Sequence, residues 1–113
     1  MNAKSRGAQA EQQAALYLQQ QGLKLVARNY RGRFGEIDLI LQDGATLVFV
    51  EVRLRRNDDF GGAAASIDTR KQQRIARTAQ QYLAGLAHIP ACRFDVVLMD
   101  NHGMQWLKNA FDA

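Results

Sequence analysis

Apolar residues recur along this chain at two different periods, and the switches between them mark its elements. Across residues 4 to 21, Ala8, Ala15 and Leu18, with Glu11 and Ala14, recur at spacings of three and four, so they share one helix face. Gly22 suits the helix stop. "LKLVARNY" (23–30) predicts a short strand. "EIDLILQ" (36–42) alternates, with Ile37, Leu39 and Leu41 on one face and Glu36, Asp38 and Ile40 on the other. "TLVFVEVRLR" (46–55) alternates too: Val48, Val50, Val52 and Leu54 oppose Leu47, Phe49, Glu51, Arg53 and Arg55. "NDDFGGAAAS" (57–66) reads as a loop with a paired glycine. A second helix follows over about 69–86, with Thr69 and Gln72 at capping-box spacing and Asp68 as an alternative N-cap. Ile75, Ala79, Tyr82, Leu83 and Leu86 form its apolar stripe; Arg70, Arg74 and Arg77 form a separate basic one. Pro90 bars continuation. "CRFDVVLM" (92–99) is a strongly apolar strand and "GMQWLKNAF" (103–111) a weaker, short last one.

The order αβββαββ fixes much of the topology. The strand at 46–55, the helix and the strand at 92–99 form a crossover, expected to be right-handed with parallel strands. The first three strands are expected to run antiparallel. An α/β domain over 1–113 follows, a mixed sheet flanked by helices.

The hairpin carries the unusual charges. A turn on Asp43-Gly44 pairs Gln42 with Ala45. That register sets Asp38 opposite Phe49 and Glu36 opposite Glu51, and makes Asp38 and Glu51 diagonal neighbours on one face. Three carboxylates so placed repel one another. An ion-pair ladder would offset them, with Arg53 diagonal to Glu36 and Arg55 further along. So would a divalent metal held by Asp38 and Glu51, with the Val52 carbonyl as a further oxygen. Spacing alone favours the ladder, because exposed strand faces are often charged. Glu11 adds weight to the metal, since a carboxylate on an apolar stripe is costly unless paired or pointed into a site.

Composition narrows the class. The chain has 113 residues, 47% of them hydrophobic, enough for one core without disulfides. Its one cysteine, Cys92, reads as a buried apolar residue, and a reducing, cytoplasmic setting is the default. No apolar run approaches the roughly 18 residues of a membrane span, and the polar start lacks a signal-peptide pattern. Net charge is +4. The cations cluster as Arg28, Arg31 and Arg33; as Arg53, Arg55 and Arg56; and as Arg70, Lys71, Arg74 and Arg77. Such groups suit a polyanion, although charge alone equally describes a solvated surface. His88 and His102 stand near loops without partners at zinc spacing and read as surface residues. Trp106 reads as a packing residue, and Gly61-Gly62 as a flexible connection.

Asp38 followed on the next strand by Glu51-Val52-Arg53 resembles the PD-(D/E)xK signature of the restriction-endonuclease-like superfamily. The closer resemblance is to the YraN-like family of small bacterial proteins. It rests on Gly7, Glu11, Ala14, Leu18 and Gly22; Asn29 and Tyr30; "GEIDLI"; "LVFVEVR"; Arg70-Lys71-Gln72; and "RFDVV", which together cover nearly the whole chain. The resemblance implies an αβββαβ core with a mixed sheet. It implies that Asp38 and Glu51 bind Mg²⁺ or Mn²⁺, that Glu11 joins the site from the first helix, and that Glu36 tunes it. The implied chemistry is hydrolysis of DNA phosphodiesters by metal-activated water. Arg31, Arg33, Arg55, Arg56, Arg70, Lys71, Arg74 and Arg77 would hold the nucleic-acid backbone, on branched or single-stranded forms. The chain departs from the pattern at Arg53, where the motif carries lysine. Arginine stays charged, so it can stabilise a phosphorane but not act as a base. Lys71 is the candidate lysine to reach in, read first as a phosphate contact. A non-catalytic nucleic-acid-binding module and a dimerising adaptor built on a strand edge are the alternative expectations.

Overall fold

A helix over Ala3–Gln20, α1, opens the chain and is followed by three strands, β1 (Lys24–Arg31), β2 (Glu36–Asp43) and β3 (Thr46–Leu54). A second helix, α2 (Thr69–Ala84), precedes β4 (Ala91–Asp100) and β5 (Gly103–Phe111). The structure, a computed structural model, describes residues 3–54 and 67–112, with side chains from 7 onward. Arg55, Arg56 and the 57–66 segment with its glycine pair lie outside the described residues.

The five strands form one sheet in the order β1-β2-β3-β4-β5. Only β3 and β4 are parallel; β1–β2, β2–β3 and β4–β5 are antiparallel. This is the expected mixed α/β sheet. The last strand is not a short appendage: its nine residues equal β3 in length.

Each sheet face has its own core, as the alternation in β3 requires. Val48 and Val50 pack with Leu39, Leu41 and Val97 beneath Ala14, Ala15 and Leu18 of α1. Leu47 and Phe49 pack with Ile40, Phe94, Val96 and Leu98 beneath Ile75 and Ala79 of α2. A helix on each face buries both, so β3 and β4 read as near-continuous apolar runs.

Four local expectations are corrected. Asp68, not Thr69, caps α2, because its carboxylate accepts the Lys71 N–H at 2.8 Å. Ala8 is exposed, and Ala10 takes the buried place in the first half of α1. Cys92 is exposed, because β4 enters the sheet's interior only from Phe94 onward. Ile37 packs with Ile40 rather than with Leu39 and Leu41, so the alternation of β2 breaks at Asp38.

The hairpin register is also corrected. Asp43 pairs with Thr46, so Gly44 and Ala45 form the turn. Gly44 has φ 60 while Ala45 keeps a negative φ. A two-residue turn with glycine leading satisfies that pattern. The slip is two residues, which leaves the paired residues of β2 and β3, 39–43 and 46–50, on their expected faces. Glu36 is therefore not opposite Glu51, and Phe49 is not opposite Asp38. The ladder ends at Leu39↔Val50, and the next step brings Asp38 level with Glu51.

Candidate functional site

The site forms where β2 and β3 stop pairing. Past Leu39↔Val50 the Val52 N–H donates not to a backbone carbonyl but to Asp38 Oδ2, at 2.8 Å. The aspartate thus fills a place in the ladder with a side-chain oxygen, and its carboxylate is fixed between the strands. Glu51, one step away on β3, is only 6% exposed although it is a carboxylate. Its Oε1 lies 2.9 Å from Lys71 Nζ, which reaches down from the first turn of α2. Its Oε2 is buried and has no hydrogen-bond partner.

Two further acids close in from the other side. Glu11, on α1, comes close enough to Asp38 and Glu36 for both charges to act on it. Asn29, on β1, stands across from Asp38 in a left-handed conformation, φ 52, which asparagine tolerates better than most residues. With its amide nitrogen turned to the acids, it donates to Glu11 Oε1 at 2.7 Å and to Glu36 Oε1 at 2.9 Å. Arg31 Nε lies 3.7 Å from Glu36 at the exposed rim.

Crowding of acids shows in their proton affinities. Burial raises Glu51 to about 7, with the Asp38 charge adding to it and Lys71 and Arg53 opposing. Burial also raises Glu11 to about 7, helped by the charges of Asp38 and Glu36. Asp38 is raised by burial as well, against the Val52 N–H and the Lys71 charge. Four carboxyl groups therefore sit together with less positive charge than they need. Such tuning clusters at functional sites.

A cleft of about 270 Å³ opens over this group, lined by Phe34, Gly35, Glu36, Asp38, Glu51, Lys71, Arg74 and Ile75. Glu11, Glu36, Asp38 and Glu51 are thus brought together with Lys71. Arg53 acts on Glu51 through its charge. Val52 enters through its N–H. Arg74 lines the cleft, and Arg77 lies one turn further along α2, over the Phe34 ring. Arg33 tethers the β1–β2 loop through its backbone N–H, which donates to Gln81 Oε1 at 2.8 Å. Arg70 is exposed on the first turn of α2, and Arg28 on β1.

The register on which the ion-pair ladder was drawn, with Arg53 diagonal to Glu36, is not the one observed, and α2 supplies a cation against Glu51 that spacing did not place there. Sequence reasoning also missed Asn29 as the bridge between acids and Phe34 as a wall of the cleft. A polar residue opposite an inward aspartate was the available signal for Asn29.

A second polar cluster lies on the other side of the sheet's centre. Asp95 is fully buried in β4. It accepts from Arg93 Nε at 3.1 and 3.2 Å, from Trp106 Nε1 at 2.9 Å and from the Asn109 N–H at 2.9 Å. Arg93 also bonds Asp43 at 2.9 Å. Trp106 packs as expected, edge-on to Tyr17, but its N–H also serves this carboxylate.

No described helix is long and apolar enough to cross a membrane. Comparison with known proteins gives a consistent placement. A UPF0102 protein of Nitrosomonas eutropha is 56% identical over 110 residues, covering 96% of this chain and 95% of that protein. A UPF0102 protein of Janthinobacterium sp. (strain Marseille) is 57% identical over 107 residues, covering 95% of this chain and 87% of that protein. Another, from Nitrosomonas europaea, is 54% identical over 114 residues, covering 98% and 97%. The model of the uncharacterised protein family UPF0102 matches residues 10–99, a span that holds every acid and cation of the cleft. The chain belongs to family UPF0102, the YraN-like family its motifs resemble.

Proposed function

We propose that this protein is a metal-dependent phosphodiesterase acting on DNA. The observation that carries the reading is Glu51: a buried carboxylate with one oxygen on Lys71, the other without a partner, and Asp38 fixed beside it. A buried charge so poorly matched is costly unless a ligand completes it.

The donor set fits a hard divalent cation. Among the described residues no group of three His, Cys, Asp or Glu side chains could hold a metal by itself. Mg²⁺ and Mn²⁺ do not need one, since Mg²⁺ typically keeps several waters and binds one or two carboxylates plus substrate phosphate. Asp38 and Glu51 would be those carboxylates, with the Val52 carbonyl the adjoining backbone oxygen. When bound, the ion supplies charge neutralisation at the phosphate and a more acidic attacking water.

The remaining work belongs to the protein's own groups. Lys71 Nζ is already within the acidic group, so it brings a compact ammonium where Arg53 brings a planar, permanently charged guanidinium. On approach of a phosphodiester, Lys71 exchanges its Glu51 partner for a phosphate oxygen. Asn29 holds Glu11 and Glu36 in place from behind. Arg31, Arg33, Arg70, Arg74 and Arg77 supply the positive rim that a polyanion requires.

A cleavage assay with Mn²⁺ on linear, flapped and four-way DNA tests this. Wild type is expected to cut at least one form, with Lys71→Ala and Asp38→Ala losing 10²-fold or more. Metal binding without cleavage of any form, together with DNA binding that persists in Glu51→Ala, would replace the reading with a non-catalytic binding module.

A further inference from the structure

The β1–β2 loop holds an aromatic ring at the mouth of the cleft, and its construction is rigid. The Gly32 N–H donates to the Gly35 carbonyl at 2.8 Å, closing the loop. Gln81 of α2 accepts the Arg33 N–H at 2.8 Å. Gly32 lies so near that helix that a Cβ would stand 2.6 Å from Gln81 Oε1, so a larger residue there would displace the side chain that accepts the Arg33 N–H. The outcome is Phe34, a wall of the cleft that remains 44% exposed. The Arg77 guanidinium lies 5.8 Å from its ring centroid, and Arg74 lines the cleft beside it.

An exposed phenylalanine pinned beside a basic rim is wasted on a duplex, whose base faces are already stacked. It suits an unpaired nucleotide, which presents one free π-face and one phosphate. Base–aromatic stacking is sequence-tolerant, and neighbouring arginines hold the backbone and add cation–π attraction. We propose that Phe34 is a stacking platform for an unpaired base, and that the protein acts on DNA carrying a single-stranded nucleotide next to the phosphate in the cleft. This rests on the phosphodiesterase reading for the chemistry and deepens it by naming the substrate class.

The arrangement also sets a polarity of contacts. Arg74 and Lys71 follow the cleft inward to Glu51, while Arg77 stays outside with the ring. A strand laid along α2 would place its base on Phe34 and its adjacent phosphate at Lys71.

Fluorescence anisotropy with labelled single-stranded and blunt duplex oligonucleotides of equal length, in Ca²⁺, tests the proposal. Wild type is expected to prefer the single strand. Phe34→Ala is expected to weaken that binding about tenfold and leave duplex binding unmoved. Phe34→Trp should retain the preference, with its added fluorescence quenched by the single strand but not by duplex. Equal losses on both probes, or no loss, would overturn the proposal; the latter is also the outcome if the ring serves a protein partner. A Phe34-dependent preference without cleavage of any substrate by wild type would sink the phosphodiesterase reading and leave the platform standing. Cleavage that ignores Phe34 would do the reverse.

Discussion

Two aspartates in this sheet are built alike and finished differently. Asp38 in β2 and Asp95 in β4 each have a left-handed asparagine, Asn29 or Asn109, on the neighbouring strand, both with φ 52; the β4–β5 register shifts at Asp95, and the β2–β3 ladder ends beside Asp38. At Asp95 the left-handed backbone turns the Asn109 N–H onto the carboxylate, and Arg93 and Trp106 supply the other donors. Asp95 itself is fully supplied with donors, and Arg93 bridges it to Asp43 of the β2–β3 hairpin, leaving only the buried Arg93 Nη2 in this group without a partner. At Asp38 the asparagine instead holds two more acids, and Glu51 joins them with an orphaned oxygen. The same backbone device makes a structural tie in one place and an unfinished acidic group in the other. The difference is the number of acids gathered, four around Asp38 against two around Asp95. Arg93 and Asn109 border a cleft of about 290 Å³, but only around Asp38 do the clustered acids themselves line one.

The largest expected effect falls on the Asp95 cluster. Asp95→Ala leaves the part-buried Arg93 with Asp43 alone and two N–H donors without their acceptor, and should destabilise the fold by about 3–5 kcal/mol. Urea denaturation measures it. A loss under about 1 kcal/mol would mean that the cluster is not the tie described.

Glu51→Gln should behave in the opposite way. Burial and the Asp38 charge make the ionised side chain unfavourable, more than Lys71 recovers. The neutral amide should therefore leave stability at pH 8 unchanged or raised by about 1 kcal/mol in chelator, while metal binding is lost. A large destabilisation would make Glu51–Lys71 a structural ion pair like Arg93–Asp95.

The pH dependence sharpens the same contrast. Glu51 rises from 4.5 to about 7 in the fold, and Glu11 likewise. Between those values the folded protein holds protons that the unfolded chain releases. Their contribution is complete below pH 4.5 and lost as pH rises through 7. In chelator, the urea midpoint should fall from pH 5 to 7.5, and Glu51→Gln should flatten part of that slope. A midpoint that rises over this window would contradict the crowding of acids.

The smallest effect is at the indole. Trp106→Phe keeps the ring against Tyr17 but removes one donor from Asp95, and should cost about 1 kcal/mol in the same denaturation. No change would show that Arg93 and Asn109 satisfy Asp95 unaided.

Much of this architecture is legible in the pattern of residues. The period-two run in β3, the apolar run of β4 and the arginine and apolar stripes of α2 place the elements, and the crossover fixes the parallel pair. The face shared by Asp38 and Glu51 survives because a two-residue slip preserves parity. The register itself was not legible, since Asp43-Gly44 and Gly44-Ala45 are both acceptable turn pairs; the first would need a positive φ at Asp43 as well as at Gly44, and Asp43 does not have one. Lys71 could be named as a candidate but not placed, because its reach depends on where Asp68 starts the helix. Asp95 passed as one polar residue in an apolar strand. Its donors come from Arg93 two residues away and from a bulged strand at Asn109, and no local pattern announces such a bulge. Cys92 was misplaced because an apolar run says nothing of where a strand leaves the interior.

The central claim is that the group around Glu51 is completed by a divalent cation. Isothermal titration of Mn²⁺ into the wild-type protein and into Glu51→Gln at pH 7.5 tests it most directly. Saturable heat from the wild type, absent in Glu51→Gln at unchanged thermal stability, is the result expected. Equal heats from both proteins, or none from the wild type, would contradict it.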